Sequence, residues 1–253
     1  LLKNNEIDLS KLNLFLSLKS FFSSDFLLKK AEVAFIKNDI KDLTKITNIF
    51  LPRIINKQLN KIFEKGNLEG KFIIPFEPDG SIGKDYGFYG QISNATINFT
   101  KEFSIKNLTT EINQVKEFEN NGFIVTVKKG SIFDLELAES TINLKREENE
   151  TKIKSLLHTN GKLSFSQIKI ISSLLGININ FFKDINSTAD LKTNIDFYLD
   201  KKFRIKNLSY SMEGNIASLE LHTEEKRTIR KYLPLYDPKI IFKDTNIKFT
   251  QSK

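Results

Sequence analysis

The chain has 253 residues, 40% of them apolar and 28% charged, with Gly 11, Pro 5 and no cysteine. That balance excludes wholesale disorder, disulfides and thiolate metal sites, and the length suits one large or two ordinary domains. The net charge of +8 admits nucleic acid or an anionic surface, but the lysines are scattered among Asp and Glu with no basic cluster, so no nucleic acid is expected.

In chain order, "LNLFLSL" places Leu12, Leu14, Leu16 and Leu18 on one side of a strand by period-two alternation. Residues 41–65 break that rule. Leu43, Ile46, Ile49 and Phe50 follow helical spacing, and Pro52 suits the start of a second helix carrying Ile54, Ile55, Leu59, Ile62 and Phe63. Gly66 is its natural stop. Pro78-Asp79-Gly80 supplies the chemistry of a turn. Alternation returns with Phe123, Val125 and Val127 in "GFIVTVK". In "SFSQIKIISSLLGI" Ser166 is a candidate N-cap for a short helix over 166–175, with Ile168, Ile171, Leu174 and Leu175 on one face and Gly176 ending it. "NIDFYLD" then alternates Ile195, Phe197 and Leu199.

Two phrases recur. "FSIKNLTTEI" from Phe103 is echoed by "FRIKNLSYSM" from Phe203, and each slips phase once, at Lys106-Asn107 and at Lys206-Asn207. A slip throws the rest of a strand onto the wrong face unless a bulge absorbs the extra residue, so both steps are expected to be bulges that bend the sheet. "ISNATINF", "LAESTINL" and "FKDTNIKF" form the second set, each read as an apolar strand end, a polar break and a new alternating stretch. The expected fold is mainly β: an elongated, curved antiparallel sheet with a helical hairpin near 41–65 and a short helix near 166–175. Three weak units, 1–75, 76–160 and 161–253, divide it.

Chemistry-bearing residues are sparse. His158 and His222 are the two histidines, each in a strand-like context, and Glu147-Glu148 and Glu224-Glu225 lie in polar stretches. The glycines lack the spacing of a phosphate loop. No enzyme activity, cofactor or metal site is expected.

Residues 12–40, "LNLFLSLKSFFSSDFLLKKAEVAFIKNDI", resemble the AsmA-like families of Gram-negative bacteria in their alternating strand, "slksl"-type turn and returning strand. Residues 50–74 are similar to the helical piece and Gly-bounded strand of the larger TamB- and YhdP-like members, and the two Lys-Asn phrases resemble rungs of their β-groove. The resemblance implies an internal segment of a longer repetitive protein, in the periplasm and anchored in the inner membrane by a segment outside this sequence. It implies phospholipid transport between inner and outer membranes, in support of outer-membrane biogenesis. Alternation gives the inward set: Ile97, Phe99, Phe103, Ile105, Leu108, Val125, Leu135, Leu137, Ile195, Phe197, Phe203, Ile205 and Leu208. The resemblance makes these the lining for phospholipid acyl chains. The same letters also fit a β-rich structural or adhesin segment with a closed apolar core and no lipid ligand.

Overall fold

The computed structural model describes residues 8–22, 27–47, 60–83, 87–117, 120–147, 149–174, 178–179, 182–201, 204–223, 232, 235 and 237–252. Within them the chain is mainly β. Eleven strands form one antiparallel sheet in which each pairs with its sequence neighbours, in the order β1 to β11. They are β1 (Leu9–Leu16), β2 (Leu28–Asp39), β3 (Phe63–Pro75), β4 (Gly87–Asn98), β5 (Ser104–Glu117) and β6 (Asn120–Ile132). The remainder are β7 (Leu135–Arg146), β8 (Glu150–Leu163), β9 (Phe182–Asp200), β10 (Ile205–Thr223) and β11 (Lys239–Ser252). The sheet does not close into a barrel, because β1 and β11 remain its two edges. It runs unbroken past residue 75, where β3 ends, and past residue 160, which lies inside β8.

The repeated phrases are bulge signatures. Pairing slips between Lys106 and Thr109 in β5 and between Lys206 and Ser209 in β10, and Asn107 and Asn207 both take φ +51°. Asparagine is among the few residues that enter the left-handed region cheaply. The second set behaves the same way. Asn94, Glu139 and Asp244, the third residue of each phrase, have φ of +51°, +46° and +46°. The expected polar break between strands is therefore a kink inside β4, β7 and β11, which continue through it. At the β7 kink the buried Ser140 hydroxyl donates to the Ala138 carbonyl and accepts the His158 N–H at 2.8 Å.

On β3, Gly66 continues the bend. The expected helix stop is instead a strand residue with φ +149°, and a Cβ there would stand 2.8 Å from the Ala95 Cβ. Helix α1 (Ile40–Thr47) starts on Asp39, whose carboxylate accepts the Lys41 N–H. Residues 60–62 are helical and the strand takes over at Phe63, three residues before the expected stop. The centre of the expected hairpin, with Pro52, lies outside the described residues. Helix α2 (Phe165–Leu174) begins one residue earlier than expected. Its cap is Ser164, not Ser166: the Ile168 N–H bonds the Ser164 carbonyl, and the Gln167 side chain accepts the Ser164 N–H. Leu18, expected on the first strand, falls instead in a 3₁₀ turn over Leu18–Phe21.

One core cluster forms where α1 meets the sheet, and further buried apolar residues, among them Phe35, Ile153, Ile185, Ala189 and Ile216, are spread along it. Ile40 of α1 joins Ile92, Ala95, Leu108, Val127, Ile132 and Leu137 in that cluster. The chain exposes 17288 Å², against about 11,500 Å² for a compact monomer of its mass.

Candidate functional site

Alternating residues of a strand point to opposite faces, and register partners share a face. Following the pairs across the sheet gives continuous apolar rows. Ile97, Ile105, Ile132 and Leu135 are successive partners from β4 to β7. Ile112, Val125, Ile142, Ser155, Ile195 and Tyr210 form a second row from β5 to β10. Phe123, Leu144, Ile153 and Phe197 form a third. The bulges keep the rows in phase, since Leu108 of β5 partners Ala95 on the same face as Ile105. Across β2 to β4, Phe35, Phe72 and Phe88 stack with centroids 4.7–6.4 Å apart.

The opposite face carries the charge. Glu32 sits between Lys30 and Lys71 at 2.8 and 2.6 Å, Glu111 faces Lys128, and Glu150 meets Lys206 at 2.7 Å. Hydrogen bonds from Lys30 first and Lys71 second lower the Glu32 carboxyl to about 2. His158 Nε2 lies 2.7 Å from Asp190, and that contact, with Asn160, lowers the Asp190 carboxyl. His222 and Lys239 converge on Glu220 and lower it too, Lys239 more. Among the described residues no three His, Asp or Glu side chains are grouped to hold a metal ion, and no helix is long and apolar enough to cross a membrane.

The thirteen residues singled out from sequence fall into distinct environments. Leu108, Leu135 and Leu137 are buried at the bend, 3–6% exposed, so packing already occupies them. Ile97, Ile105, Val125, Ile195, Phe197 and Leu208 are half-buried, and Ile205 is 59% exposed at the start of β10. Phe99 and Phe103, expected on strands, sit in the β4–β5 turn instead. The Thr100 hydroxyl accepts the Phe103 N–H there, and the Phe99 N–H bonds the Phe103 carbonyl. The two rings lie 5.6 Å apart, and Phe103 meets Phe133 at 5.8 Å, so they cap one end of the sheet. Phe203 lies outside the described residues.

Sequence reasoning missed Phe72, Phe88, Phe123, Ile142, Leu144 and Ile153, all on the same face. Phe123 stood in the quoted alternation two places before Val125, which was the available signal, and the structure pairs it with Leu144. In "KFIIPF" both faces are apolar, so alternation is silent about Phe72.

No protein-family model, curated protein or solved structure matches the chain.

Proposed function

We propose that the chain is a non-catalytic segment that holds lipid acyl chains against the apolar face of its sheet. One observation carries this reading: Val125, Ile142, Ile195, Phe123, Leu144 and Phe197 are half-buried on one face, in rows with the buried Ile153 and Tyr210, and the ion pairs are on the other side. Each CH₂ withdrawn from water contributes about 0.8 kcal/mol, so a sixteen-carbon chain laid along such rows gains about 12 kcal/mol before ordering costs. Ser155 and Gln114 are among the few polar side chains along these rows, and a mostly apolar lining suits passage of lipid as well as storage.

The resemblance to AsmA-like proteins supplies the setting. In that reading the segment belongs to a periplasmic β-groove, anchored in the inner membrane by a region outside this sequence. There it supports phospholipid transport between the two membranes and outer-membrane biogenesis.

Photo-crosslinking amino acids at Val125 and Phe197 test the proposal in cells making the protein that contains this chain. They are expected to capture phospholipid, while Thr126 and Asp196, one residue away on the charged face, capture little. Crosslinks from Val125 and Phe197 to protein alone, in a folded chain, would replace the groove with a packed structural core of the adhesin or scaffold kind.

A further inference from the structure

The two edges of the sheet differ. Strand β11 carries Lys239, Lys243 and Lys248 on its charged face and kinks at Asp244, where φ is +46°. Lysines and kinks on an edge keep a further strand from adding to it. Strand β1 has neither device. Lys11 is its one charged residue, and none of its residues has positive φ. Its two breaks in register fall at its ends, leaving Lys11 to Phe15 in regular pairing with β2.

Among the described residues β1 pairs with β2 alone, and its leucines end the apolar rows. Leu12, Val33, Phe72 and Phe88 are successive partners, as are Leu14, Ala31 and Ile74. Leu9, Leu12, Leu14 and Leu16 are 38–54% exposed. A strand with an open edge, a row of exposed leucines and a single charge is a template for another strand.

Direction and face decide which strand fits. With eleven antiparallel strands, β1 and β11 run the same way. A second copy offering its β11 to β1 therefore meets it in parallel, or turned over with its charged face beside the apolar rows. A copy offering its own β1, about a two-fold axis normal to the sheet, meets it antiparallel with both apolar faces on one side. The same operation on β11 gathers lysines from both copies on one face. In the register centred on Asn13, Leu12 stands opposite Leu14 of the second copy and Lys11 opposite its Phe15, so like charges do not meet.

We infer that the chain dimerises by antiparallel pairing of β1 with β1 of a second copy, which continues the sheet and its apolar face across both. This stands on the edges of the sheet and does not require the apolar face to hold lipid. One strand of eight residues makes a small interface, so the dimer is expected to be concentration-dependent.

Sedimentation velocity of the 253-residue chain without lipid is expected to show a monomer–dimer equilibrium. Leu12→Lys/Leu14→Lys, at exposed positions, is expected to raise the dissociation constant about tenfold or more. Ile241→Lys, at an exposed apolar position on β11, should leave it unchanged. The sequence has no cysteine, so Asn13→Cys places one thiol where the paired strands cross the axis. Directly opposite residues lie about 4.5–5.5 Å apart, within disulfide range. Oxidation by copper–phenanthroline is expected to link Asn13→Cys into a dimer and to leave Asn246→Cys, on β11, monomeric. Circular dichroism checks that each variant keeps its strands.

A chain that is monomeric at every concentration, or a dimer that survives Leu12→Lys/Leu14→Lys, would overturn the pairing. A dimer lost through Ile241→Lys would overturn it by moving the contact to β11. One that forms only with added fatty acid would do so by making it a lipid bridge. Acyl-chain capture at Val125 and Phe197 is read separately, so either proposal can fail while the other stands.

Discussion

Asn107 and Asn207 stand one hundred residues apart in different strand pairs, yet both adopt φ +51° at a break in register that follows a Lys. The repeated phrase is thus a backbone instruction. It lets Ile105 and Leu108 share the apolar face although three positions separate them, and it gives β10 the same correction. Replacing either Asn by Val forces a β-branched residue into the left-handed region, at a cost of about 1–2 kcal/mol. Gly at either position is expected to be nearly neutral. Urea unfolding of the single and double variants checks this, and the two costs should add because the sites share no partner.

Glu139 occupies the equivalent kink of β7 without the Asn that eases it. Glu139→Asn or Glu139→Gly is expected to raise stability by about 0.4–1 kcal/mol, by relieving the left-handed backbone at an exposed position. A shift of the urea midpoint to lower concentration would show that the Glu side chain contributes something the backbone argument omits.

These kinks also mark how far the sequence is legible. Period-two alternation identifies the strands because one face is apolar and the other charged, as with Val125 beside Thr126. Phase slips identify the Lys-Asn bulges. Glu139 carries no such signal, since Glu has no special preference for positive φ. Gly66 misleads because a glycine suits a helix end and a close strand approach equally, and only Ala95, across the pair, distinguishes them. Phe99 and Phe103 continue the alternation into a turn that the Thr100 hydroxyl closes, which no local pattern reveals. Burial is the least legible property: Leu137 and Phe197 are both apolar strand residues, but only Leu137 lies in the cluster that α1 packs against.

At Gly66 the expected effect is steric as well as conformational. A methyl group there meets the Ala95 side chain at 2.8 Å and must adopt φ +149°. Gly66→Ala is expected to destabilise by about 1–3 kcal/mol. Ala95→Gly in the same chain should recover only part of the steric cost, because the Ala95 Cα also lies 3.0 Å from the new methyl, and leave the conformational part. A double-mutant cycle on chemical unfolding measures the coupling, and strict additivity would mean that the two residues do not meet.

Acid titration should single out Glu32. Its carboxyl lies near 2, below the ordinary 4.5, because Lys30 and Lys71 both hydrogen-bond the charged form. A carboxylate lowered in the folded state contributes stability above its unfolded value and loses it as pH falls toward the folded one. The loss therefore falls between pH 4.5 and 2, and Asp190 and Glu220, also lowered, add to it. The Glu32 side-chain resonance is expected to stay unshifted until the pH approaches 2. Lys30→Met should raise that midpoint more than Lys71→Met, and Glu32→Gln should flatten the acid limb of the stability curve.

Leu137 and Phe197 separate packing from binding. Leu137 is 3% exposed in the core cluster, so Leu137→Ala opens a cavity and is expected to cost about 2–5 kcal/mol. Phe197 is half-buried, paired with Ile153 of β8 and opposite the break in register of β10, so Phe197→Ala gives up less burial. Its expected stability cost is about 1–2 kcal/mol. Ligand binding should reverse that order. Titration with a fluorescent sixteen-carbon fatty acid is expected to lose about tenfold in affinity with Phe197→Ala or Val125→Ala. A stabler conservative change in the core, Leu137→Met, should leave the affinity unaltered. Double replacement in one row, Val125→Asp with Ile195→Asp, should abolish binding while circular dichroism retains the strands. If Phe197→Ala costs as much stability as Leu137→Ala and leaves fatty-acid affinity untouched, the row is packed interior, and the acyl-chain reading gives way to a closed core.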